Sequence, residues 1–250
     1  MAWERWWLWG GIWVGHRRQI GMVQGWQWGN WFVVSPGIGT ERSGALAAKL
    51  SAAPFEEVWL VGICGGLNLQ LAAGDLVHVT AHSKADAENS PCPAELGKLS
   101  WQDLPLIGQQ DLIANVEHPR VYSGAALCSD RILSRAEKLR YTQTQKAAIV
   151  EMESAVWQAW SDEHQLSFVH LRVVSDPAEQ EPVAWNRLWP NNGWLKQHRT
   201  TEKNISNQAA SLSSRGARWR GLFAGGLNAS LSAASSLRKL GACLAAIGAD

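Results

Sequence analysis

Two acidic segments at the ends of apolar runs are the first candidates for chemistry in this chain. Glu151 and Glu153 lie in the segment IVEMES, and Arg172, Ser175 and Asp176 close the apolar segment FVHLRVVSDP. Burying a carboxylate is costly unless the group is paired or used, so both segments are candidate sites. The residues leave open an alternative, in which the two segments form a structural ion pair.

Two glycine segments could bring the backbone close to a ligand. Gly37 and Gly39 lie in the turn PGIGT, before a predicted helix whose first amides could face an anion. Cys64, Gly65 and Gly66 directly follow an apolar strand, where glycine allows close approach of a ligand. PGIGT lacks the third glycine of a dinucleotide fingerprint and the lysine of a P-loop, so neither motif is present. A plain turn is the alternative for both segments.

The elements that must position these residues alternate between strand and helix patterns. Strands are predicted at Asn30–Ser35, Val58–Ile63, Asp75–Thr80, Val121–Ala126 and Ser167–Val174. Helices are predicted at Glu41–Ala52, Asp130–Tyr141, Met152–Gln165 and Leu227–Ile247. Continuous apolar strands are typical of a sheet that is buried on both faces. We therefore expect an α/β fold, with a mainly parallel central sheet covered by helices on both faces.

The chain shows no convincing linker, which predicts a single domain over residues 1–250. Eight of its 16 Trp lie in the first 31 residues, so residues 1–29 form a Trp-rich start. Residues 178–226 are polar and irregular. The Trp excess is most simply a compositional habit; a stacking platform for sugars or bases and a membrane-interface patch are the alternatives.

Charge and cysteine content exclude several function classes. The formal net charge is +1, which gives no electrostatic footprint for nucleic acid and no polybasic membrane signal. No apolar run is long enough to span a membrane. The four cysteines form no Cys-x-x-Cys pair, which favours a reduced, cytoplasmic setting. His78 and His82 lie on a predicted strand and its exit, so we expect no metal site.

Four segments occur in order within residues 30–182: VVSPGIGTERSGA, VGICGGLNLQLAAGDLVHV, AAIVEMESAVWQAW and FVHLRVVSDPAEQEP. Together they resemble the nucleoside phosphorylase family, which includes purine nucleoside phosphorylase and methylthioadenosine/S-adenosylhomocysteine nucleosidase. SDPAEQEP, the isoleucine of GICGG and the Leu/Ala-rich terminal segment are most similar to the hopanoid-associated branch, which cleaves adenosylhopane. The resemblance implies cleavage of the N-glycosidic bond of a purine nucleoside, with a 5′-modified adenosine as substrate.

The resemblance also implies roles for the acidic residues. Asp176 matches the family's general acid, which protonates N7 of the leaving purine and must hold a proton near neutral pH. Glu153 matches the carboxylate that binds the ribose 2′- and 3′-hydroxyls while the sugar gains oxocarbenium character. Met152 would pack under the sugar. Further substrate contacts are expected at Arg172, Ser175, Cys64 and Gly65.

The resemblance leaves open whether phosphate or water attacks the sugar. Leu60 and Ile63 replace the arginine and serine that phosphate-using members carry. Phosphate would then be bound by Gly37, Gly39, Arg42 and Gly66. Water would need a base, and Glu4 is the one acidic residue before Asn30. Backbone amides can replace side chains at an anion site, so we expect phosphorolysis, with phosphate as co-substrate and no cofactor.

Two other functions stay open at this point. One is a nucleosidase of the methylthioadenosine/S-adenosylhomocysteine type, which uses water. The other is a non-catalytic protein that binds a nucleoside after its N-terminal part has degenerated. In each case the partner is a small-molecule nucleoside, and the resemblance implies a homo-oligomer. The family's first strand should precede residue 20, so we expect residues 1–29 to supply a substitute strand unless the true start lies upstream.

Overall fold

The strands that the structure describes are divided between two sheets. The computed structural model describes residues 16–20, 22–28, 31–50, 55–84, 96–99, 120–144 and 147–182. The strands within these ranges are β1 His16–Ile20, β2 Val23–Trp28, β3 Trp31–Val33, β4 Glu57–Gly66, β5 Leu76–Lys84, β6 Gly97–Leu99, β7 Val121–Cys128, β8 Ile149–Glu151 and β9 Ser167–Asp176. The helices there are α1 Thr40–Ala47, α2 Arg135–Thr144 and α3 Ser154–Glu163.

The smaller sheet is an antiparallel meander of β1, β2 and β3. The predicted strand at Asn30–Ser35 corresponds to β3, which pairs with β2. The described part of the Trp-rich start, β1 and β2, therefore pairs within this small sheet and not with the larger one. Residues 1–15, which include Glu4, lie outside the described residues.

The larger sheet closes on itself. Its strand order is β5-β9-β4-β8-β7-β6, and a further pairing joins β5 to β7. Five strands thus form a ring, and β6 is attached to β7 at its edge. β4 and β9 run in one direction, whereas β5, β7 and β8 run in the other.

The predicted α/β class is confirmed, with a larger sheet that is mixed and not purely parallel. The ring contains two groups of parallel strands, β4 with β9 and β5 with β7 and β8. The two groups are joined by antiparallel pairs, β4 with β8 and β5 with β9. A continuous apolar run reports burial on both faces and carries no information on strand direction. The short strand β8 makes one antiparallel junction, which the strand pattern did not predict.

Apolar side chains fill the ring and attach the helices to it. One buried cluster takes residues from all five ring strands, among them Cys64, Val77, Tyr122, Ile149 and Val174. A second cluster joins α1 and α3 to β4 and β9, and a third joins α2 to β7 and β8. The helices are thereby fixed against the strands whose ends carry the candidate site.

The start of α2 is set by a capping box. The backbone N–H and the hydroxyl of Ser134 both donate to the Glu137 carboxylate, and the Glu137 N–H returns a bond to the Ser134 hydroxyl. The helix therefore begins at Arg135, five residues later than the predicted Asp130.

The predicted helix at Leu227–Ile247 and most of the irregular segment lie outside the described residues. No helix among the described residues is long and apolar enough to cross a membrane.

Gly62 in β4 leaves the space that Arg172 occupies. A Cβ added to Gly62 would lie 2.4 Å from Arg172 Nη1. That guanidinium is held by several hydrogen bonds, described below, so it cannot swing away without breaking them. Glycine at position 62 is therefore a packing requirement of the buried arginine.

We expect Gly62→Ala to destabilise the protein by about 1–3 kcal/mol, the usual cost of overpacking a filled interior. The matched control is Gly44→Ala in α1, where an added Cβ meets nothing within 4 Å. Because alanine is the better helix former, this control should gain about 0.5–1 kcal/mol. Urea unfolding of both variants measures the difference. Equal stabilities would show that the Arg172 guanidinium does not fill this space.

Candidate functional site

Glu151 ends β8 and caps the helix that follows. Its Oε2 accepts hydrogen bonds from the backbone N–H groups of Glu153 at 2.9 Å and Ser154 at 2.8 Å. The Ser154 hydroxyl donates to Oε1 at 2.5 Å. A carboxylate is stabilised at a helix N-terminus, where unpaired N–H groups converge. Glu151 thus stabilises the start of α3 through these hydrogen bonds.

Glu153 joins two distant parts of the chain. Its Oε1 accepts from the Gly39 N–H at 2.9 Å, and its Oε2 accepts from Arg172 Nη2 at 2.8 Å. Gly39 has φ 96°, a conformation that favours glycine. A Cβ there would lie 3.8 Å from the end of the buried Met152 side chain. The PGIGT turn is therefore placed directly against Met152 and Glu153.

Arg172 is buried and links both glutamates. Its Nη2 donates to Glu151 and Glu153 at 2.8 Å each, and its Nη1 to the Ile63 carbonyl at 3.4 Å. Burial lowers the pKa of the guanidinium, but the two carboxylates outweigh it and raise that pKa. The ion pair between the two segments, the alternative left open by the sequence, is thus present. The structure gives Arg172 no hydrogen bond to Asp176.

Two histidines extend this network and were not predicted as part of it. Arg172 Nε donates to His170 Nε2 at 2.8 Å, and His170 Nδ1 lies 2.9 Å from His82 Nε2. Burial lowers the pKa of His170 well below its usual value, so the ring is neutral. Since Nε2 accepts, Nδ1 carries the hydrogen and donates to His82. The sequence does contain a signal for this contact. His170 and Arg172 are two residues apart in an apolar strand, which places both side chains on the same face of the sheet.

Asp176 ends β9 with both carboxyl oxygens engaged. Lys138 Nζ donates to its Oδ2 at 2.7 Å, and the Ser175 hydroxyl lies 2.5 Å from its Oδ1. Burial raises the pKa of Asp176 and exceeds the opposing effects of Lys138 and Ser175. The protonated acid is therefore favoured relative to a carboxyl group in water.

The Ser175 hydroxyl has two neighbours that can each take its single hydrogen. Its Oγ lies 3.0 Å from the Cys64 carbonyl and 2.5 Å from Asp176 Oδ1. Both neighbours are acceptors, so the hydroxyl donates to one of them at a time. When it donates to Oδ1, it lowers the pKa of Asp176, as the bond from Lys138 does. Burial is therefore what keeps the pKa of Asp176 raised.

The end of β4 lies against Asp176. A Cβ on Gly65 would lie 3.2 Å from Asp176 Oδ2, so glycine provides the room for that side chain. The Cys64 thiol is buried, and its pKa is raised well above the usual value by burial, with smaller effects from Arg172, Asp176, Glu151 and Lys138. Cys64 is therefore a neutral group between these charges and not a thiolate nucleophile.

The residues predicted to bind phosphate are only partly free to do so. Arg42 is exposed and folds over Gly37, where a Cβ would lie 2.6 Å from its Cδ. The Gly39 N–H is already bonded to Glu153. Gly66 packs against the turn at Pro177 and Ala178. Arg42 and the backbone around Gly37 are the part of the predicted set that stays accessible.

Lys138 is a further site residue that the sequence did not predict. Its side chain is 1% exposed, although it lies in a polar stretch where lysine normally faces solvent.

No group of three or more metal-ligating side chains occurs among the described residues. A cavity of about 770 Å³ lies beside α1 and α3, but Asp176 and Glu153 are not among the residues that line it.

The chain belongs to the phosphorylase superfamily, which it matches over residues 14–212. It is similar in structure to the futalosine hydrolase of Helicobacter pylori, at 18% identity and TM-score 0.55, covering 96% of this chain and 93% of that one. It is also similar to the 5′-methylthioadenosine/S-adenosylhomocysteine nucleosidase of Campylobacter jejuni, at 18% identity and TM-score 0.54, covering 72% and 84%.

A methylthioadenosine nucleosidase described as putative, from Weissella paramesenteroides, gives 22% identity and TM-score 0.54, covering 71% of this chain and 85% of that one. At these identities the likeness shows the shared fold. Family membership confirms the resemblance to the nucleoside phosphorylase family; the finer resemblance to the hopanoid-associated branch stays a prediction. Family membership also confirms the expected enzyme class, a nucleoside phosphorylase or nucleosidase.

We expect Arg172→Met to destabilise the protein by about 3–5 kcal/mol, because it leaves the Glu151 and Glu153 carboxylates buried without their cation. The control is Arg131→Met, which breaks the 2.6 Å pair with Glu137 at the surface. Exposed pairs contribute about 0–1 kcal/mol. Urea unfolding compares the two losses. A loss at Arg172 no larger than at Arg131 would contradict the buried ion network.

Proposed function

We propose that this protein cleaves the N-glycosidic bond of a purine nucleoside, using Asp176 on the base and Glu153 on the ribose. The observation that carries the proposal is the burial of Asp176 at the end of β9, which raises the pKa of its carboxyl although Lys138 and Ser175 both donate to it. A buried acid that holds a proton is what the departure of a purine requires.

The proton is needed because a purine leaves poorly as an anion. Asp176 gives its proton to N7, and the electron pair of the bond between C1′ and N9 passes into the base. Burial supports this role by raising the pKa of Asp176. Ser175 orients the carboxyl through its Oδ1.

The ribose is left electron-poor, and Glu153 lies in a position to bind it. Its carboxylate is 12% exposed, and is held by the Gly39 N–H and Arg172. Hydrogen bonds from the 2′- and 3′-hydroxyls to this carboxylate would strengthen as positive charge develops on the sugar. Met152 supports the sugar from the adjacent position, packed against Gly39.

We propose phosphate as the attacking group. The exposed Arg42 beside Gly37 supplies a guanidinium fork, and α1 begins three residues after Gly37 with its first N–H groups unpaired within the helix. Water is the second candidate, because the Gly39 N–H is engaged by Glu153 and Leu60 and Ile63 offer no side-chain donor. The substrate we propose is a 5′-modified adenosine, with adenosylhopane as the particular compound. A homo-oligomer and a cytoplasmic location stay predictions.

Asp176→Asn should lower the rate of adenine release by about 10²–10⁴-fold, because it removes only the proton donor. Nucleoside binding should stay within about tenfold, since the amide preserves the shape of the carboxyl. In the wild type, kcat/KM should fall as pH rises through the raised pKa of Asp176, because the acid form is the active one. Asp162→Asn, exposed on α3, is the control. Near-normal turnover in the Asp176 variant would remove this residue from the mechanism.

Adenine release should depend on phosphate. Purified protein is incubated with 5′-substituted adenosines in buffers with and without phosphate, and both adenine and the sugar product are followed. Phosphorolysis gives adenine together with a sugar 1-phosphate. Equal release in phosphate-free buffer, with free sugar as the product, would assign the protein to the nucleosidases. Absence of adenine in both buffers would contradict the enzymatic function and favour a nucleoside-binding protein.

A further inference from the structure

The Lys138 ammonium is completely enclosed at the end of β9. Its three N–H groups point to three acceptors: Asp176 Oδ2 at 2.7 Å, the Pro177 carbonyl at 2.7 Å and the Asp176 carbonyl at 3.3 Å. The two carbonyls are neutral, so the Asp176 carboxyl is the one acidic group bonded to it. An enclosed lysine with this set of acceptors is held against a single carboxyl group.

The helix that carries Lys138 is fixed at both ends. The Ser134–Glu137 capping box sets its start, and the Arg135 N–H donates to Glu181, in the segment that follows Asp176. One turn beyond Lys138, the Thr142 hydroxyl donates to the Leu67 carbonyl, just after β4. Lys138 therefore has little freedom to move relative to Asp176.

Proton donation changes the charge that faces Lys138. When the O–H bond of the Asp176 carboxyl breaks and the bond from N7 to hydrogen forms, the carboxyl becomes a carboxylate in a buried setting. Burial alone makes that carboxylate costly. A positive charge already in place at 2.7 Å offsets this cost without any rearrangement at the moment of reaction.

We propose that Lys138 is a positioning residue, which holds a fixed positive charge against Asp176 and stabilises the carboxylate formed when the purine is protonated. The inference rests on the proposed function, since it assigns Lys138 to the proton donor of that reaction. Lys138 acts through Asp176 and does not touch the substrate. After the base leaves, the carboxylate regains a proton from solvent.

The groups around Asp176 predict how the pH profile responds. Among the described residues, Lys138 faces it from α2, Ser175 precedes it on β9, and the buried thiol of Cys64 approaches from β4. Lys138 is the cation that lowers the pKa of Asp176 against the effect of burial. Without it, the pKa of Asp176 rises further, and the acid becomes a weaker proton donor.

The test is Lys138→Met, assayed with two substrates across pH. For an adenosine-type nucleoside, whose base needs the proton, kcat/KM should fall by about 10²–10³-fold. Its decline at high pH should move upward by about one unit or more. For 4-nitrophenyl β-D-ribofuranoside, whose leaving group needs no proton, the loss should stay below about threefold. Lys49→Met, at an exposed lysine, should change neither activity nor the pH profile.

If the Lys138→Met variant does not fold, Lys138→Gln is assayed on the same two substrates, because glutamine keeps N–H donors for the carbonyls of Asp176 and Pro177. In the Asp176→Asn background, removal of Lys138 should cause no further loss of rate. Equal losses on both substrates with an unchanged pH profile would overturn the proposal and leave Lys138 a structural residue. A wild-type protein that releases no adenine would instead refute the proposed function.

Discussion

The site depends on one constraint, which is that the Arg172 guanidinium is buried. Arg172 has lost its water, so its charge and N–H groups need partners from the protein. Glu151 and Glu153 supply the charge, His170 accepts from Nε, and Gly62 leaves the space. These partners belong to β4, β8 and β9 and to the start of α3. Their contacts with one buried cation therefore fix these elements relative to one another.

The two carboxyl groups of the proposed site have different surroundings. Glu153 accepts hydrogen bonds from the Arg172 guanidinium and from a backbone N–H. Asp176 is desolvated, and this burial raises the pKa of its carboxyl although Lys138 and Ser175 donate to it. A carboxylate for the sugar and an acid for the base are the two states that N-glycosidic cleavage demands. In the mechanism we propose, Lys138 opposes the effect of burial on the pKa of Asp176 and so keeps this carboxyl able to give up its proton.

Much of this arrangement could be predicted from the sequence, because local patterns determine it. The strands before Cys64 and Asp176 and the carboxylates at strand ends followed from apolar runs ending in charge. Strand direction could not be predicted, since β8 is three residues long and its antiparallel pairing with β4 is a long-range choice. Lys138 escaped prediction because its burial depends on where α2 docks, and an isolated lysine in a polar helix normally faces solvent.

The most direct measurement is a crystal structure with a C-nucleoside analogue of adenosine, whose glycosidic carbon–carbon bond cannot be cleaved. The account predicts the base at the end of β9, with the position equivalent to N7 within hydrogen-bond distance of the Asp176 carboxyl. It also predicts both ribose hydroxyls on Glu153, and an unbroken contact between Lys138 and Asp176. An analogue bound away from these two carboxyl groups, or bound with the base against Glu153 and the ribose against Asp176, would contradict the account.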